Sequence, residues 1–367
     1  MTHPRVGTSG RGTGEGADPY PEDVRLGILT GGGDCPGTNG VIRALVRRVS
    51  DRHGTPVTGF LDAWDGVIEG RAIALEAEDV RGLLPRGGTI LGTRRGSPFD
   101  RSDGPELVRA ALASRGLDAL VVVGGNGSLT VASMLADDHG LPVVGVPKTI
   151  DNDIVGTDEC FGFDTALQIA TDAIDRLHTT AESHDRIMVI EVMGRDAGWI
   201  ALHAGIAGSA TAILVPEVEF DIARVAELVA RRHARGRYAS VVVVAEGATP
   251  IGGTMSVPDR PVDRHGHRVY RGIAAAVAAE LSARTGYEAR VTLLGHVQRG
   301  GTPTAHDRVL ATRLGLAAAE LAEAGGTGRM VSVRGSDIGS EPMSVTRGRT
   351  RTIDLGLLDG VTAALLG

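Results

Sequence analysis

Short apolar, β-branched runs alternate along the chain with longer stretches whose apolar residues recur at helical spacing. Leu26–Thr30 reads as a first strand. Val41, Ile42, Leu45, Val46 and Val49 then mark one face of a helix, with Arg43, Arg47 and Arg48 on another. Further strands are predicted at Leu120–Val123, Val143–Val146, Ile187–Val192, Ala212–Val215, Ser240–Ala245 and Val291–Leu294, with helical patterns between them. Most are unbroken apolar runs, as expected of strands covered on both faces. This alternation predicts parallel sheets flanked by helices.

Unusual residues gather where these strands end. Leu26–Thr30 is followed by GGGDCPG, Leu120–Val123 by GGNGS, and Val143–Val146 by PKTIDND. Ile187–Val192 leads to MGRDAG, Ser240–Ala245 to EG, and Val291–Leu294 to GHVQRGG. Open parallel sheets bind ligands in the crevice beyond the carboxyl ends of their strands. The clusters therefore predict one cleft, set between two facing domains.

A length of 367 residues fits two domains. With 38 basic and 45 acidic residues the net charge is −7, and only 3% of residues are aromatic. That balance argues against a nucleic-acid partner. No apolar run is long enough to span a membrane, so no membrane partner is expected. Residues 1–23 are rich in Gly, Thr and Pro and read as a flexible tail, not a signal peptide. Cys35 and Cys160 form neither a CxxC nor a metal pattern, which makes a reducing cytoplasm the expected location. The chain has a single lysine, Lys148; the other 37 basic residues are Arg. Because Lys148 follows Pro147, where the common nucleotide P-loop has Gly, that motif is excluded.

GGGDCPGTNG runs into the first helix. Its glycines let backbone approach a ligand, and a helix N-terminus offers unpaired N–H groups, so the loop is a candidate phosphate cradle. A tight strand–helix turn would need the same glycines. Gly31, Gly33 and Gly37 are spaced one residue too far for a dinucleotide fingerprint. GGNGSLT, from Gly124 to Thr130, repeats the device. PKTIDND sets Asp151 and Asp153 two residues apart beside Lys148. A carboxylate that accepts a hydroxyl proton, near a second that helps hold Mg²⁺, is what phosphoryl transfer to an alcohol requires; an Asx-rich turn is the plainer alternative. GTRRG, from Gly92 to Gly96, offers Arg94 and Arg95 to clamp a phosphoryl group. Arg195, Glu246, His296 and Arg299 suit a sugar phosphate.

Taken together, GGGDCPG, LGTRR, PKTIDND, GFDTA, MGRDAGW, AEG and GHVQRGG resemble the 6-phosphofructokinase family, in its order, from about Arg25 to Ala324. The resemblance implies an α/β fold of two doubly wound parallel-sheet, Rossmann-like domains facing across an active-site cleft. Residues 24–161 with about 298–348 would form the donor-phosphate domain, and 162–297 with about 349–367 the sugar-phosphate domain. The implied reaction moves the γ-phosphoryl of Mg-ATP, or a phosphoryl of pyrophosphate, to the 1-hydroxyl of fructose 6-phosphate. Asp151 matches the general base, flanked by Lys148 and by Thr149 and Ile150, which would contact the sugar phosphate. Gly33, Arg95, Gly96, Gly125, Asn126, Gly127 and Ser128 match donor contacts, with Arg95 steadying the group in transfer. Asn126 and Asp153 would hold Mg²⁺. Met193, Gly194, Arg195, Glu246, His296 and Arg299 match sugar-phosphate contacts. Arg186 and Arg290 match arginines that reach the 6-phosphate from a neighbouring subunit, so a homodimer or homotetramer is implied.

Two positions bear on the donor. Pyrophosphate users in the family typically pair Asp at position 127 with Lys at 148, and many ATP users carry Gly at both. This chain has Gly127 with Lys148, a mixed pair found in a subgroup of ATP users, which favours ATP over pyrophosphate. Asn126 departs from the pattern, since the family has Asp or Glu there. It keeps an oxygen ligand but removes a charge beside a hard cation. The departure leaves open another acceptor, such as allulose 6-phosphate, transfer of a pyrophosphoryl group, or a sugar-phosphate-sensing protein without turnover.

Overall fold

The computed structural model describes residues 24–365 except 238, 258, 263–268 and 271. The expected N-terminal tail, residues 1–23, lies outside them. The first half of the chain forms β1 (Leu26–Thr30), α1 (Thr38–His53), β2 (Val57–Phe60), α2 (Trp64–Glu69), β3 (Ala72–Leu75), α3 (Gly104–Ser114), β4 (Ala119–Gly124), α4 (Asn126–Asp137), β5 (Val143–Pro147) and α5 (Phe163–His184). The second half forms β6 (Ile187–Val192), α6 (Trp199–Ala207), β7 (Ala212–Leu214), α7 (Ile222–Ala234), β8 (Ser240–Ala245), α8 (Ile273–Thr285), β9 (Ala289–Leu293), α9 (Ala305–Glu323), β10 (Arg329–Arg334), β11 (Asp337–Pro342) and α10 (Leu355–Leu365).

Among the described residues these strands make two sheets, ordered β11-β10-β5-β4-β1-β2-β3 and β7-β8-β6-β9. The first is parallel except at its edges, where β3 and β11 run antiparallel to β2 and β10. The second is parallel throughout. From β1 the chain builds outward to β2 and β3 on one side and to β4 and β5 on the other. That reversal opens a crevice beyond the carboxyl ends of β1 and β4.

The strands are apolar because helices cover them. Every residue of β1, β4, β5, β6 and β8 is buried. One continuous core runs from Leu26 and Val121 of the first sheet to Ile190 and Val243 of the second. Separate clusters fill the far side of each sheet. We propose that each sheet centres one domain, with the boundaries expected from the family pattern. Packing of α9 on α1, β4 and β5 supports assigning the segment after about residue 298 to the first.

Two expectations are corrected. The last strand of the second sheet begins at Ala289, two residues before the predicted start, and it is an edge strand. Val291 and Leu293 are 38% and 59% exposed, so its apolar character does not reflect cover on both faces. The short β2 and β3 and the hairpin of β10 with the polar β11 were not predicted; Gly335, at φ 56, turns that hairpin.

Candidate active site

Strand register delivers the loops to one place. Thr30 of β1 lies opposite Val123 of β4, and Gly124 lies opposite Pro147 of β5. The Gly31 N–H donates to the Val123 carbonyl at 2.9 Å, and the Lys148 N–H to the Gly124 carbonyl at 3.0 Å. On the second sheet Val192 lies opposite Ala245, and the Glu246 N–H donates to the Val192 carbonyl at 2.9 Å. The result is a cleft of ≈ 680 Å³. Gly33, Arg95, Gly96, Gly125, Asn126, Gly127, Ser128, Lys148, Thr149, Asp151, Asp153, Arg195 and Arg299 all line it.

The two glycine loops play different parts. α4 starts at Asn126 directly after Gly125, with no capping side chain and no acidic residue in its first turn. Its first amides are the anion-binding end of a helix and face the cleft. The loop after β1 is corrected. α1 begins only at Thr38, and Gly37 at its cap has φ 100 and a Phe161 ring 2.8 Å from where a Cβ would stand. Thr38 and Asn39 are buried, so this helix end is packed into protein, and only Gly32 and Gly33 of the loop reach the cleft. A Cβ on Gly33 would stand 2.7 Å from Arg299 Nη1, so glycine there leaves room for that guanidinium. Lys148 Nζ donates to the Gly33 carbonyl, and Thr93 Oγ1 donates to Gly32 O at 2.6 Å, tying the arginine loop to the glycine loop. Of the arginine pair, Arg94 leans on Asp62 and Asp65 at 3.7 and 3.6 Å.

Charge is concentrated beside Asp151, which is 5% exposed. Its Oδ1 has no hydrogen-bond partner. Burial pushes its pKa up, opposed by the positive charges of Arg299, Arg195 and Lys148. Burial also drives Asp153 up to about 7, with the Asp151 charge adding to the effect. Lys148, buried, is pushed down by desolvation. Asn126 Nδ2 donates to Asp153 Oδ2 at 2.8 Å, which leaves Asn126 Oδ1 buried and unpartnered. An orphaned amide oxygen beside a carboxylate is a donor pair that fits Mg²⁺, a cation that takes few protein oxygens when phosphates supply the rest.

Glu246 accepts the Arg195 N–H at 3.1 Å and is pushed up to about 7, chiefly by burial and then by Asp151. Its ordinary value is 4.5. Between those values the folded protein holds a proton that the unfolded chain releases, so this carboxyl lowers stability as pH rises through that window. Glu246→Gln is expected to melt with the wild type near the low end of the window and a few degrees higher at about pH 8, by calorimetry. An equal shift at both pH values would contradict this.

Some expected contacts do not line the cleft. Ile150 is fully buried in the core, so its side chain does not face a ligand. Met193 is likewise core, 9% exposed. Gly194, at φ 138, and Glu246 form the wall behind Arg195, while His296 is exposed at the end of β9. Arg186 and Arg290 sit away from the cleft, both paired with Glu288, Arg186 at 2.6 Å. Ser97 and Asp100 line the cleft but were not anticipated. They cap one another in a short turn, and their S-x-x-D spacing is the one local signal. Arg351 was also missed. Its N–H donates to the Asp153 carbonyl at 2.8 Å, its guanidinium to the Asn152 carbonyl at 3.0 Å, and it lies 4.1 Å from the centre of the Trp199 ring.

A family model described as phosphofructokinase matches residues 25–322. The chain is 52% identical over 338 residues to the pyrophosphate–fructose 6-phosphate 1-phosphotransferase of Streptomyces coelicolor, covering 92% of this chain and 98% of that one. It is also 52% identical over 316 residues to the ATP-dependent 6-phosphofructokinase of Corynebacterium efficiens, covering 86% and 91%. Among solved structures, phosphofructokinase from Saccharomyces cerevisiae superposes with a TM-score of 0.79 at 31% identity, over 94% of this chain. This chain spans half the length of the yeast one. Sheet order, the convergence of the strand-end motifs and these matches agree: the chain belongs to the phosphofructokinase family of sugar-phosphate kinases.

Proposed function

We propose that the cleft transfers the γ-phosphoryl group of ATP to the 1-hydroxyl of fructose 6-phosphate. The observation that carries this reading is the buried, unpartnered Asp151 oxygen between an uncapped helix end and the guanidiniums of Arg195 and Arg299. The α4 amides of Asn126, Gly127 and Ser128, with Gly33 and Gly96, receive the donor phosphates, and Arg95 steadies the group in transfer. Arg195 and Arg299 fix the sugar phosphate, helped by Thr149, Glu246 and His296. Asp151 takes the proton of the attacking hydroxyl. Mg²⁺, held by Asn126 Oδ1 and Asp153, would neutralise charge on the donor phosphates. In an oligomer, Arg186 and Arg290 would reach the 6-phosphate in a neighbouring copy.

Gly127 supports ATP as donor. A Cβ at this position would meet nothing within 4 Å, so room remains beside the helix end for more than two phosphates. Pyrophosphate is the second reading, favoured by the buried Lys148 ammonium in the cleft, a compact charge suited to a small dense anion. Initial rates with fructose 6-phosphate and Mg²⁺ decide between them. ATP is expected to give a kcat/KM about 100-fold above that of pyrophosphate. The reverse order would replace the donor, and no turnover with either would overturn the proposal.

A further inference from the structure

The connection from β8 to α8 braces the sugar-phosphate wall from outside the cleft. Arg260 Nη1 donates to the Gly247 carbonyl and to Thr249 Oγ1, both at 3.2 Å, and Nη2 donates to the Ala248 carbonyl at 2.5 Å. The same guanidinium lies 5.2 Å from the centre of the Tyr270 ring. The Tyr270 hydroxyl in turn donates to the Asp196 carboxylate.

These partners bracket Arg195. Arg195 has φ 53, a left-handed conformation that a non-glycine residue keeps only where its surroundings fix it. The fixing contacts are visible. Its N–H is held by Glu246 Oε1, and its carbonyl lies so close to Gly247 that a Cβ there would stand 1.9 Å away. The Arg195 side chain lines the cleft; Arg260 and Tyr270 do not.

We infer that Arg260 and Tyr270 are positioning residues for the acceptor. Arg260 holds the Gly247–Thr249 turn against the Arg195 carbonyl, and Tyr270 holds the neighbouring Asp196. Together they set where the Arg195 guanidinium meets the sugar phosphate. The inference rests on the proposed acceptor and is independent of which donor is used.

The test is steady-state kinetics and calorimetric binding of fructose 6-phosphate to the full chain and its variants. Arg260→Ala removes three charge-assisted donations and is expected to raise the acceptor KM and Kd about tenfold or more, with the donor KM changed less than about twofold. Arg260→Lys reaches fewer acceptors at once and should fall between Ala and wild type. Tyr270→Phe keeps the ring against Arg260 but loses the hydroxyl, with an expected rise of about threefold. A merely structural role would lower the melting temperature without separating acceptor from donor. Unchanged acceptor KM and Kd, or equal changes in both substrates, would overturn the inference and leave the proposed reaction standing. Wild-type protein that neither binds nor uses fructose 6-phosphate would remove both. If Arg260→Ala does not fold, Tyr270→Phe decides on the same readings.

Discussion

Asp151→Asn is expected to lower kcat with fructose 6-phosphate by about 10²- to 10⁴-fold, while the acceptor KM stays within about threefold. The amide keeps the volume of the carboxyl and its place beside Arg195, Arg299 and Lys148, so binding surfaces are preserved. What disappears is the acceptor for the hydroxyl proton. Asp151 Oδ1 is buried and has no hydrogen-bond partner in the protein. Burial raises the pKa of this group, and the positive charges of Arg299, Arg195 and Lys148 oppose that rise. Steady-state kinetics on the purified variant measure the effect. A fall of less than about tenfold would show that another group removes the proton.

Gly127→Asp is expected to reduce kcat/KM for ATP by about 100-fold and to leave the acceptor KM within about twofold. Open space around Gly127 lets the side chain fit without strain. An acidic residue in the first turn of α4 also favours the helix itself, by about 0.3–1 kcal/mol. The melting temperature should therefore hold or rise, which separates the kinetic loss from unfolding. The loss comes from a carboxylate set against the α-phosphate of the nucleotide, and like charges so placed cost several kcal/mol. Pyrophosphate has no group at that place and should lose less. An unchanged KM for ATP would mean that the nucleotide lies elsewhere.

Strand positions were legible because helices bury both faces of the central strands. A run such as Leu120–Val123 has no polar face to hide, and Leu and Val fill it. The edges carried no such signal. β11, DIGSEP, is polar and stays in the sheet through its hairpin with β10. β9 has the apolar residues of a central strand, yet it lies at the sheet edge with Val291 and Leu293 exposed. At the site, the second glycine loop was legible, since Gly125 and Asn126 sit at the junction of β4 and α4. The first loop misled, because Asp34 to Gly37 intervene before α1 and turn its end into the core. Ile150 shares a motif with Asp151 but points the other way, a distinction made only by packing. Arg351, Arg260 and Tyr270 hold the site from distant segments, and no local pattern announces such contacts.

Phosphorus NMR of a mixture of the wild-type protein, Mg²⁺, ATP and fructose 6-phosphate tests the central claim most directly. The account predicts ADP and a sugar 1,6-bisphosphate appearing one for one, with neither formed by Asp151→Asn on the same timescale. AMP with a sugar pyrophosphate would mean that Asn126 has redirected the group transferred. A new phosphoester at any carbon other than C1 would contradict the proposed arrangement of donor, base and acceptor.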